Sequence, residues 1–334
     1  MPEISVIVIN WNGEHFLEDC LVALRRQTFR DFETILVDNG SRDGSLDYVR
    51  SQFPEVQIVA LPQNLGFAGG NIAGYKRASA DLIALLNNDT EAHPEWLEEF
   101  HKASRCYPNA GSFASKMMYF DDRERIENCG SAIGSDGATM NLGRDERDGP
   151  AWAQPRSIFG PCAGAVAYRR QMLADIGFLD PEFVNTYEDA DLSFRAQLRG
   201  YECVFVPRAV VYHHYCATNK KTPARQVFNS QRNIEFVYLK NMPLSLILRY
   251  APQRLLYEIG AALYFTRTGF AAAFVRAKLD VLKHLPSLLR KRKEIQARKT
   301  VPNSYLRALM TDSVLASRWK KLRSAWHMPA QSPI

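Results

Sequence analysis

A short apolar run at residues 82–86 that ends in a polar turn constrains the fold of this chain more than any other stretch. The run has the length of one buried strand, and Asn87, Asn88 and Asp89 follow it directly. In open α/β sheets ligands bind at the carboxyl ends of strands, so this turn is a candidate binding site. A carboxylate there can bind a divalent cation, with the two amides beside it. A plain turn that leads into a helix near Pro94 is the alternative interpretation.

The stretch before residue 82 repeats a strand–turn–helix unit. Residues 4–9 and 34–37 are apolar runs typical of buried strands, and residues 58–60 form a third, shorter one. Polar turns and segments of helical spacing follow these runs. Such units, joined by right-handed crossovers, build a parallel sheet. We therefore predict an α/β fold with a mostly parallel, Rossmann-like sheet and helices on both faces.

A glycine-rich segment follows the third strand. Gly66, Gly69 and Gly70 lie between Asn64 and Asn71. This spacing would let the backbone approach a nucleotide closely at the N-terminus of a helix. It is not the G-x-G-x-x-G pattern, so no dinucleotide site is predicted. A glycine-rich loop without a ligand is the alternative.

The middle of the chain gives weaker signals. Residues 121–157 are rich in Gly, Asp and Arg with little periodicity, which predicts a surface excursion of loops or hairpins that could cover a bound ligand. Strand-like composition returns at residues 157–168, with small residues at 160 and 162–164. Those small residues would let a ligand lie close to the backbone, and tight strand packing explains them equally well.

Three carboxylates in four residues precede a helix that we predict from Leu192 onward. They are Glu188, Asp189 and Asp191. A helix cap requires only one acidic residue. We therefore expect one of the other carboxylates to take part in the chemistry of a site, and Asp191 to be the cap. Two further strands, separated by Pro207, would then deliver the His213-His214 pair to an end of the sheet. A structural histidine and a metal-ligating one are equally good interpretations of His213.

The charge is distributed unevenly along the chain. The net charge of the whole chain is +6, but residues 1–215 carry 20 basic and 31 acidic side chains, whereas residues 216–334 carry 22 and 5. Residues 244–275 are apolar but interrupted by charges, which suits helices that lie on a membrane or pack on the body. A solvated helix face or a nucleic-acid patch is the alternative for the basic run at residues 288–293. We expect an anionic membrane surface as a partner and no nucleic acid.

The six cysteines show no C-x-x-C pairing, and the N-terminus has no pattern of a signal peptide. These features predict a cytoplasmic protein with reduced thiols. Together with the basic tail, they predict a peripheral position on the inner face of the plasma membrane.

In this order, the strand with its acidic turn, the Glu188-Asp189 pair and the later His213 resemble an inverting glycosyltransferase of family 2 with the GT-A fold. The resemblance covers about residues 3–240 and is nearest to the rhamnosyltransferase-like branch. It implies a nucleotide-diphospho-sugar transferase domain at residues 1–240, followed by a basic, amphipathic helical extension at residues 241–334.

The resemblance also implies roles for single residues. Asp189 would be the base that deprotonates the acceptor hydroxyl, with Glu188 as its neighbour, and Asp89 and His213 would hold Mg²⁺ or Mn²⁺. Asp38 would accept a hydrogen bond from a uracil or thymine ring, with an Asx turn or a helix cap as the alternative. The residues that we predict to bind the donor are Asn10, Asn12, Asp38, Asn39, Asn64, Gly66, Asn71, Asn87, Asn88 and Arg232.

One departure from the family pattern bears on the metal. The acidic turn starts with Asn87 where Asp-x-Asp is commoner, and one carboxylate fewer weakens any cage built from the protein alone. We therefore expect the metal to bind measurably only when the phosphates of the donor are present.

The predicted function is an inverting transfer of a sugar, with L-rhamnose as a candidate, from a dTDP- or UDP-sugar to a hydroxyl of a glycan or polyprenyl-linked acceptor. This reaction would belong to the synthesis of a cell-envelope polysaccharide. A sugar nucleotidyltransferase is the first alternative, but no basic glycine loop near residue 10 supports it. The second is a non-catalytic protein that binds nucleic acid or a membrane, and the tail shows no signature of an RNA-binding domain.

Overall fold

The computed structural model describes residues 1–214 and 223–311. The chain divides into two compact units, and each is described by itself. The first contains Met1–Ser131 and the described residues from Asn141 to 214, and the second contains Ala132–Met140 and the described residues from 223 onward. The boundary that we placed at residue 240 stays a prediction.

The strands of the described residues are, in chain order, β1 (Ile4–Asn10), β2 (Phe32–Asp38), β3 (Gln57–Ala60), β4 (Leu82–Asn87), β5 (Thr90–Ala92), β6 (Ala110–Tyr119), β7 (Ile126–Asn128), β8 (Ser131–Gly134), β9 (Thr139–Asn141), β10 (Arg156–Ile158), β11 (Ala165–Arg169), β12 (Glu202–His213) and β13 (Met310–Thr311). The helices are α1 (Glu14–Arg25), α2 (Ser45–Gln52), α3 (Gly66–Arg77), α4 (Trp96–Cys106), α5 (Arg170–Ile176), α6 (Glu188–Leu198), α7 (Pro223–Asn241), α8 (Leu244–Arg249), α9 (Ala251–Arg267), α10 (Ala271–Ala297) and α11 (Asn303–Leu309).

The first unit is built on a ten-stranded sheet of order β10–β12–β6–β11–β4–β1–β2–β3, in which β5 also pairs with β12 and β7 with β6. The strands from β4 to β3 are parallel to one another. On the other side, β11 runs antiparallel to both β4 and β6. The predicted α/β sheet is confirmed, and it is parallel in the half that the strand–turn–helix units build.

Helices cover both faces of the parallel half. Alternate residues of β1 enter two different apolar clusters. Val6 and Val8 pack with side chains of α1 and α4, including Leu17 and Trp96. Ile7 packs on the opposite face with side chains of α3, α5 and α6. Burial on both faces explains why β1 is a continuous apolar run and not an alternating one.

Two predictions of local structure are wrong. The segment after residue 200 forms one long strand, β12, and not two strands separated by Pro207. The register of β12 against β6 is irregular between Phe205 and Val210, so Pro207 lies in a bulge, where its missing N–H costs no ladder hydrogen bond. The excursion at residues 121–157 forms short strands, in agreement with the predicted hairpins, but it does not lie only at the surface, because Ile126 and Cys129 are fully buried.

The second unit contains α7 to α11 and a small sheet of order β13–β8–β9. Its core holds a cluster of charged side chains. Arg254 and Lys278 contact Glu258 at 2.6 and 2.7 Å, and both also pair with Glu235. Arg254 donates a further hydrogen bond to the carbonyl of Asp136 at 2.6 Å. Among the helices that the structure describes, none has both the length and the apolarity needed to cross a membrane.

Candidate active site

Polar side chains form a row where the parallel strands end. The Asn10 Nδ2 atom lies 3.2 Å from Asp38 Oδ1, and Asn88 Nδ2 donates to Asn10 Oδ1 at 2.7 Å. Asp38 and Asn10 end β2 and β1, and Asn88 follows β4, the neighbour of β1 in the sheet. Carboxyl ends of adjacent parallel strands meet at one edge, so the row lies where α/β folds bind ligands. The three residues were predicted to bind the donor, and the structure brings them together.

The Asp38 carboxylate is buried and held by the protein. Its Oδ2 atom accepts a hydrogen bond from the backbone N–H of Ser41 at 3.0 Å, while Asn10 approaches the other oxygen. The carboxylate thus also stabilises the turn that follows β2, through the backbone N–H three residues further on. Each carboxylate oxygen can accept a second hydrogen bond, so a contact with a nucleotide base stays a prediction.

Asn39 and Asn64 connect the end of β2 to the loop before α3. Asn39 Nδ2 donates to the carbonyl of Gly66 at 3.0 Å and to Asn64 Oδ1 at 3.2 Å. Asn64 Oδ1 also accepts from the N–H of Gly66 at 2.7 Å. On the neighbouring loop, Asn12 is exposed and accepts from the N–H of Arg42 at 2.8 Å. These amides give the loops a fixed shape.

The glycines of α3 serve helix–sheet packing. A Cβ atom on Gly70 would lie 2.3 Å from Ile9 Cδ1, and one on Gly74 would lie 2.5 Å from Ile7 Cγ2. Close approach to β1 therefore explains these positions without a nucleotide. Gly66 has a φ of +75° and is backed by Val184, so a side chain there would be strained. Asn71 Nδ2 donates within α3, to the carbonyl of Phe67 at 2.9 Å.

Asp89 and His213 meet because β5 pairs with the end of β12, with Thr90 opposite His213. His213 Nε2 lies 3.2 Å from Asp89 Oδ1, and both side chains are almost entirely buried. The structure therefore brings together the two residues that we predicted to hold a metal.

Glu127 completes this arrangement, and sequence reasoning missed it. Its Oε2 atom lies 2.7 Å from His213 Nδ1. Residue 127 lies in β7, which pairs with β6, the neighbour of β12. The contact spans 86 residues of sequence, and no local pattern around Glu127 marks it.

The donor set fits a divalent cation. If His213 donates its Nδ1 hydrogen to Glu127, the lone pair of Nε2 faces Asp89, which is the usual carboxylate–histidine–metal arrangement. Burial lowers the pKa of His213, but hydrogen bonds to Asp89 and Glu127 outweigh it and raise the pKa to about 10. The space between the two side chains is therefore suited to a positive charge, carried by a proton or by a metal. Within residues 1–214 and 223–311, no group of three His, Cys, Asp or Glu side chains is arranged to hold a metal ion. Asp89 and His213 therefore supply only part of the ligands that a metal needs.

His214 faces a different environment. Its ring stacks on Phe120 with centroids 3.6 Å apart and also contacts Phe16. Its backbone N–H donates to the carbonyl of Asp89 at 3.0 Å. Of the two histidines, His213 is the one placed to be a ligand, and His214 supports the turn.

Glu188 and Asp189 lie in the first turn of α6. Asp189 accepts hydrogen bonds from the N–H groups of Ala190 at 2.7 Å and Ala163 at 3.3 Å. The prediction that Asp191 caps this helix is wrong, because α6 starts at Glu188 and Asp191 lies inside it. Its fully buried carboxylate pairs with Arg195 Nε at 2.9 Å instead.

Burial raises the pKa of both members of the Glu188-Asp189 pair. The pKa of Glu188 is raised well above its ordinary value, first by burial and then by the charge of Asp189. The pKa of Asp189 is also raised by burial, but backbone N–H groups oppose this by stabilising its anion. Burial therefore favours retention of a proton by the pair as a unit, and the backbone N–H groups stabilise the anion of Asp189. Glu188 Oε2 has no hydrogen-bond partner among the described residues.

One loop links this pair to the turn that contains Asp89. In the loop before β11, the N–H of Ala163 donates to Asp189, and the carbonyl of the next residue, Gly164, accepts from the N–H of Asn87 at 2.9 Å. Tight packing explains part of the small-residue pattern, since a Cβ atom on Gly160 would lie 2.0 Å from Ser193 Oγ. Two hydrogen bonds from neighbouring residues of this loop thus connect Asp189 with the turn that contains Asp89.

The segment before α6 has a strained backbone. Val184, Thr186 and Tyr187 have φ values of 61°, 67° and 66°, which side chains rarely adopt. The segment is held in place by α3, because Asn185 Oδ1 accepts from the N–H of Phe67 at 2.7 Å and the Val184 carbonyl accepts from Ala68. Such strain persists where surrounding contacts enforce it, and it concentrates at functional sites.

Arg232 lies in the second unit, on α7. Its guanidinium lies 3.6 Å from a carboxylate oxygen of Asp280 and donates to Asn233 Oδ1 at 2.8 Å. Its predicted contact with the phosphates of a donor stays a prediction.

A mostly parallel sheet with acidic and amide side chains along its carboxyl edge is typical of α/β proteins that bind a ligand at that edge. The family described as “Glycosyl transferase family 2” matches residues 5–177, which is more than half of the chain. The chain therefore belongs to glycosyl transferase family 2, and it is a glycosyltransferase.

Curated relatives agree with this assignment. The uncharacterized glycosyltransferase alr2836 of Nostoc sp. (strain PCC 7120) is 25% identical over 70% of this chain and 72% of its own length. The N-acetylglucosaminyl-diphospho-decaprenol L-rhamnosyltransferase of Mycobacterium tuberculosis is 24% identical over 66% and 79%. The uncharacterized protein y4gI of Sinorhizobium fredii is 25% identical over 71% of this chain, but the match spans only 27% of that protein.

Solved structures show the same fold. GalNAc-T7 with UDP, GalNAc and Mn²⁺ superimposes with a TM-score of 0.58 at 15% identity, over 76% of this chain and 54% of that one. Residues 1–349 of TarS from S. aureus superimpose with a TM-score of 0.51 at 17% identity, over 98% of this chain and 89% of that one. The predicted GT-A fold is confirmed.

Proposed function

We propose that this glycosyltransferase inverts the anomeric centre of a sugar as it moves it from a nucleoside diphosphate to an acceptor hydroxyl. The observation that carries the proposal is the loop at Ala163 and Gly164, which ties Asp189 to the turn of Asn87 and Asp89. A base for the acceptor and a site for the leaving diphosphate must lie on either side of one sugar. The hydrogen bonds of Ala163 and Gly164 support this arrangement, because they hold Asp189 and the turn of Asp89 on two sides of one loop.

Asp189 is the proposed base. It accepts the proton of the acceptor hydroxyl as that oxygen bonds to the anomeric carbon, while the nucleoside diphosphate leaves from the opposite face. A base works best when its pKa approaches the working pH, and burial raises the pKa of Asp189 in that direction. The N–H groups of Ala163 and Ala190 hold the carboxylate in one orientation.

Asp89 and His213 are the residues that would hold Mg²⁺ or Mn²⁺. Such a cation supplies positive charge that stabilises the departing diphosphate. Glu127 holds the imidazole of His213 so that its Nε2 atom faces Asp89. GalNAc-T7, which shares the fold, was crystallised with UDP and Mn²⁺, and this supports a divalent cation in the present enzyme.

The proposed donor is a dTDP- or UDP-sugar, with L-rhamnose as the first candidate. The name of the mycobacterial relative combines an L-rhamnosyltransferase with a lipid-linked N-acetylglucosaminyl-diphospho-decaprenol. By analogy, we propose a glycan or polyprenyl-linked acceptor of cell-envelope synthesis. The row of Asn10, Asp38 and Asn88 would receive the nucleoside, and the turn at Asp89 would receive its diphosphate.

A donor panel tests the proposal. The full chain is incubated with UDP-, dTDP- and GDP-sugars, Mg²⁺ or Mn²⁺ and a glycolipid acceptor, and released nucleoside diphosphate and the anomeric configuration of the product are measured. One donor should give a product of inverted configuration. Retention of configuration would contradict the mechanism, as would release of pyrophosphate in a parallel incubation with a nucleoside triphosphate and a sugar phosphate.

The variant Asp189→Asn identifies the base. Turnover should fall at least ~10²-fold, the low end of what a general base contributes, while donor binding persists because the amide keeps the shape of the carboxylate. Asp47→Asn, on the exposed surface of α2, is the control and should turn over normally. Normal turnover of Asp189→Asn would show that another group is the base.

A further inference from the structure

Large apolar side chains stand exposed on two neighbouring helices of the second unit. α9 and α10 pack on each other through stacked Phe265 and Phe274 rings, 5.7 Å apart, and through the contact of Lys278 with Glu258. Away from this contact, both helices carry leucines, isoleucine or valine that are at least half exposed. Exposure of large apolar side chains to water is unfavourable, so a continuous stripe of them indicates a surface that binds a membrane or another molecule.

The stripe of α9 is formed by Leu255, Leu256, Ile259 and Leu263, which are 50–62% exposed. At the helical repeat, these four positions fall within a sector of about 100°. The charged residues of α9 are Arg254, Glu258 and Arg267, and the first two take part in the ion cluster with Glu235 and Lys278. The outward face is therefore apolar until the last turn, unlike that of an ordinary surface helix.

The stripe of α10 has a basic row beside it. Val275, Leu282 and Leu289 are 51–64% exposed and recur every seven residues. Each is followed by an exposed basic residue, so the pattern Val-Arg, Leu-Lys, Leu-Arg repeats along the helix at residues 275–276, 282–283 and 289–290. Seven residues are nearly two helical turns, so the apolar and the basic residues form two parallel rows.

A cavity of about 300 Å³ opens at the start of α10. Its walls include Phe228, Phe270 and small residues, and Arg225 and Arg276 also line it. Apolar walls with two guanidinium groups match the chemistry of an anionic lipid, whose phosphate would pair with the arginines.

We propose that α9 and α10 lie in the plane of an anionic lipid bilayer, with their apolar stripes inserted below the headgroups and the basic row of α10 at headgroup level. The charge fits this occupant, because residues 216–334 carry 22 basic and 5 acidic side chains. A helix with an apolar stripe flanked by Lys and Arg binds membranes in this orientation. The basic row runs the length of the stripe, so the helix could not cross the bilayer without burying it. This inference rests on the proposed function and deepens it, since it would place the enzyme beside a lipid-linked acceptor.

Sedimentation with vesicles tests the proposal. The full chain, without nucleotide or acceptor, is mixed with phosphatidylcholine vesicles with and without phosphatidylglycerol, at low and at high salt. The chain should sediment with the anionic vesicles at low salt, and a smaller fraction should remain bound at high salt through the inserted side chains. A chain that stays in the supernatant with anionic vesicles at low salt overturns the proposal.

Two double variants separate the apolar and the basic contributions. Leu256→Gln with Leu263→Gln should weaken binding about tenfold or more for each side chain and remove the part that survives high salt. Lys283→Gln with Arg290→Gln should weaken binding about fivefold for each charge and remove the preference for anionic lipid. The control replaces three exposed arginines of the first unit, Arg26, Arg77 and Arg105, by Gln and should bind as the wild type does. Equal binding by all variants overturns the assignment of this surface.

A fluorescent reporter identifies the occupant. Because the chain already contains five tryptophans, the signal of each reporter is the difference between its spectrum and that of the wild type. The signal of Leu263→Trp should show a blue shift and quenching by brominated lipid when anionic vesicles are added, whereas that of Tyr107→Trp, an exposed position of the first unit, should not respond. Emission from position 263 that is already blue-shifted without vesicles, and does not change with them, would mean that a second copy or residues 312–334 cover the stripe, and would overturn the proposal. Since no substrate is present, failure here is distinguishable from failure of the transfer reaction.

Discussion

The contact between Glu127 and His213 fixes which nitrogen of the imidazole faces Asp89. Partners of this kind orient a ligand and raise its basicity, and their loss typically weakens metal binding about 10–100-fold. We expect Glu127→Ala to weaken Mn²⁺ binding in the presence of the nucleoside diphosphate by such a factor, and Glu127→Gln, which keeps an acceptor oxygen, to weaken it less.

Electron paramagnetic resonance of free Mn²⁺ measures this binding without any turnover. Glu124→Ala is the matched control, because Glu124 is exposed, precedes the same strand and pairs with Arg147 on the surface. Unchanged Mn²⁺ binding by Glu127→Ala would show that Glu127 is structural.

Glu188 should make the protein less stable as the pH rises. Burial and the charge of Asp189 raise the pKa of Glu188 in the folded state, so the folded chain binds a proton that the unfolded chain loses near the ordinary value of 4.5. Between 4.5 and the raised pKa, each step toward alkaline pH therefore favours unfolding. Glu188→Gln removes this contribution and should flatten the fall of Tm between pH 4.5 and neutrality.

Thermal melts of both proteins across this pH range measure the difference. Glu18→Gln, on the exposed side of α1, is the control and should keep the slope of the wild type. Parallel curves for the wild type and Glu188→Gln would argue that Glu188 is ionised in the folded protein.

At the scale of elements, the packing of α3 on β1 depends on glycine. A Cβ atom at Gly70 would lie 2.3 Å from Ile9 Cδ1, so Gly70→Ala must move the helix or force Ile9 from its rotamer. Overpacking of this kind costs about 1–3 kcal/mol. Because α3 carries the loop of Asn64 and Gly66, donor binding should weaken as well.

Gly149→Ala is the matched control, because no atom lies within 4 Å of a Cβ placed there. Urea unfolding of the two variants should show a lower midpoint for Gly70→Ala and a wild-type midpoint for Gly149→Ala. A stable Gly70→Ala variant would mean that α3 can shift without cost.

The elements that sequence predicted well are those whose pattern is local. The buried runs of β1, β2 and β4 and their polar ends follow from composition, since a parallel strand is covered on both faces. The predicted start of α6 was wrong. The helix begins at Glu188, directly after Tyr187, whose left-handed φ of 66° is not indicated by the number of acidic residues in the sequence. The spacing of four residues between Asp191 and Arg195 allows an ion pair within one helix, so Asp191 had a local alternative to the role of cap.

Contacts between distant segments were beyond sequence reasoning. Glu127 reaches His213 across 86 residues, through the pairing of β7 with β6 and of β6 with β12. The bulge that lets β12 continue past Pro207 likewise exists only in the context of its neighbour. The candidate base and metal residues could be named from a motif, whereas the groups that orient them could not.

For the molecule as a whole, the charge distribution predicted that the C-terminal part differs from the rest of the chain. It did not predict which other residues fold with that part. Residues 132–140 belong to the second unit although they lie far from it in sequence. Strand β13 pairs with β8 there, with Met310 opposite Ile133. A division of the chain by sequence position alone separates residues that fold together.

The loop at Ala163 and Gly164 sets a limit on how this protein can be re-engineered. Consecutive residues hold Asp189 through an N–H and Asn87 through a carbonyl, so only a few backbone bonds separate the two contacts. An insertion or deletion at this point would prevent the loop from making the hydrogen bond to Asp189 and the one to Asn87 at the same time. Loop grafts meant to change the acceptor should therefore keep the length of this segment and vary chain length elsewhere, as at Gly149, where the backbone has open space.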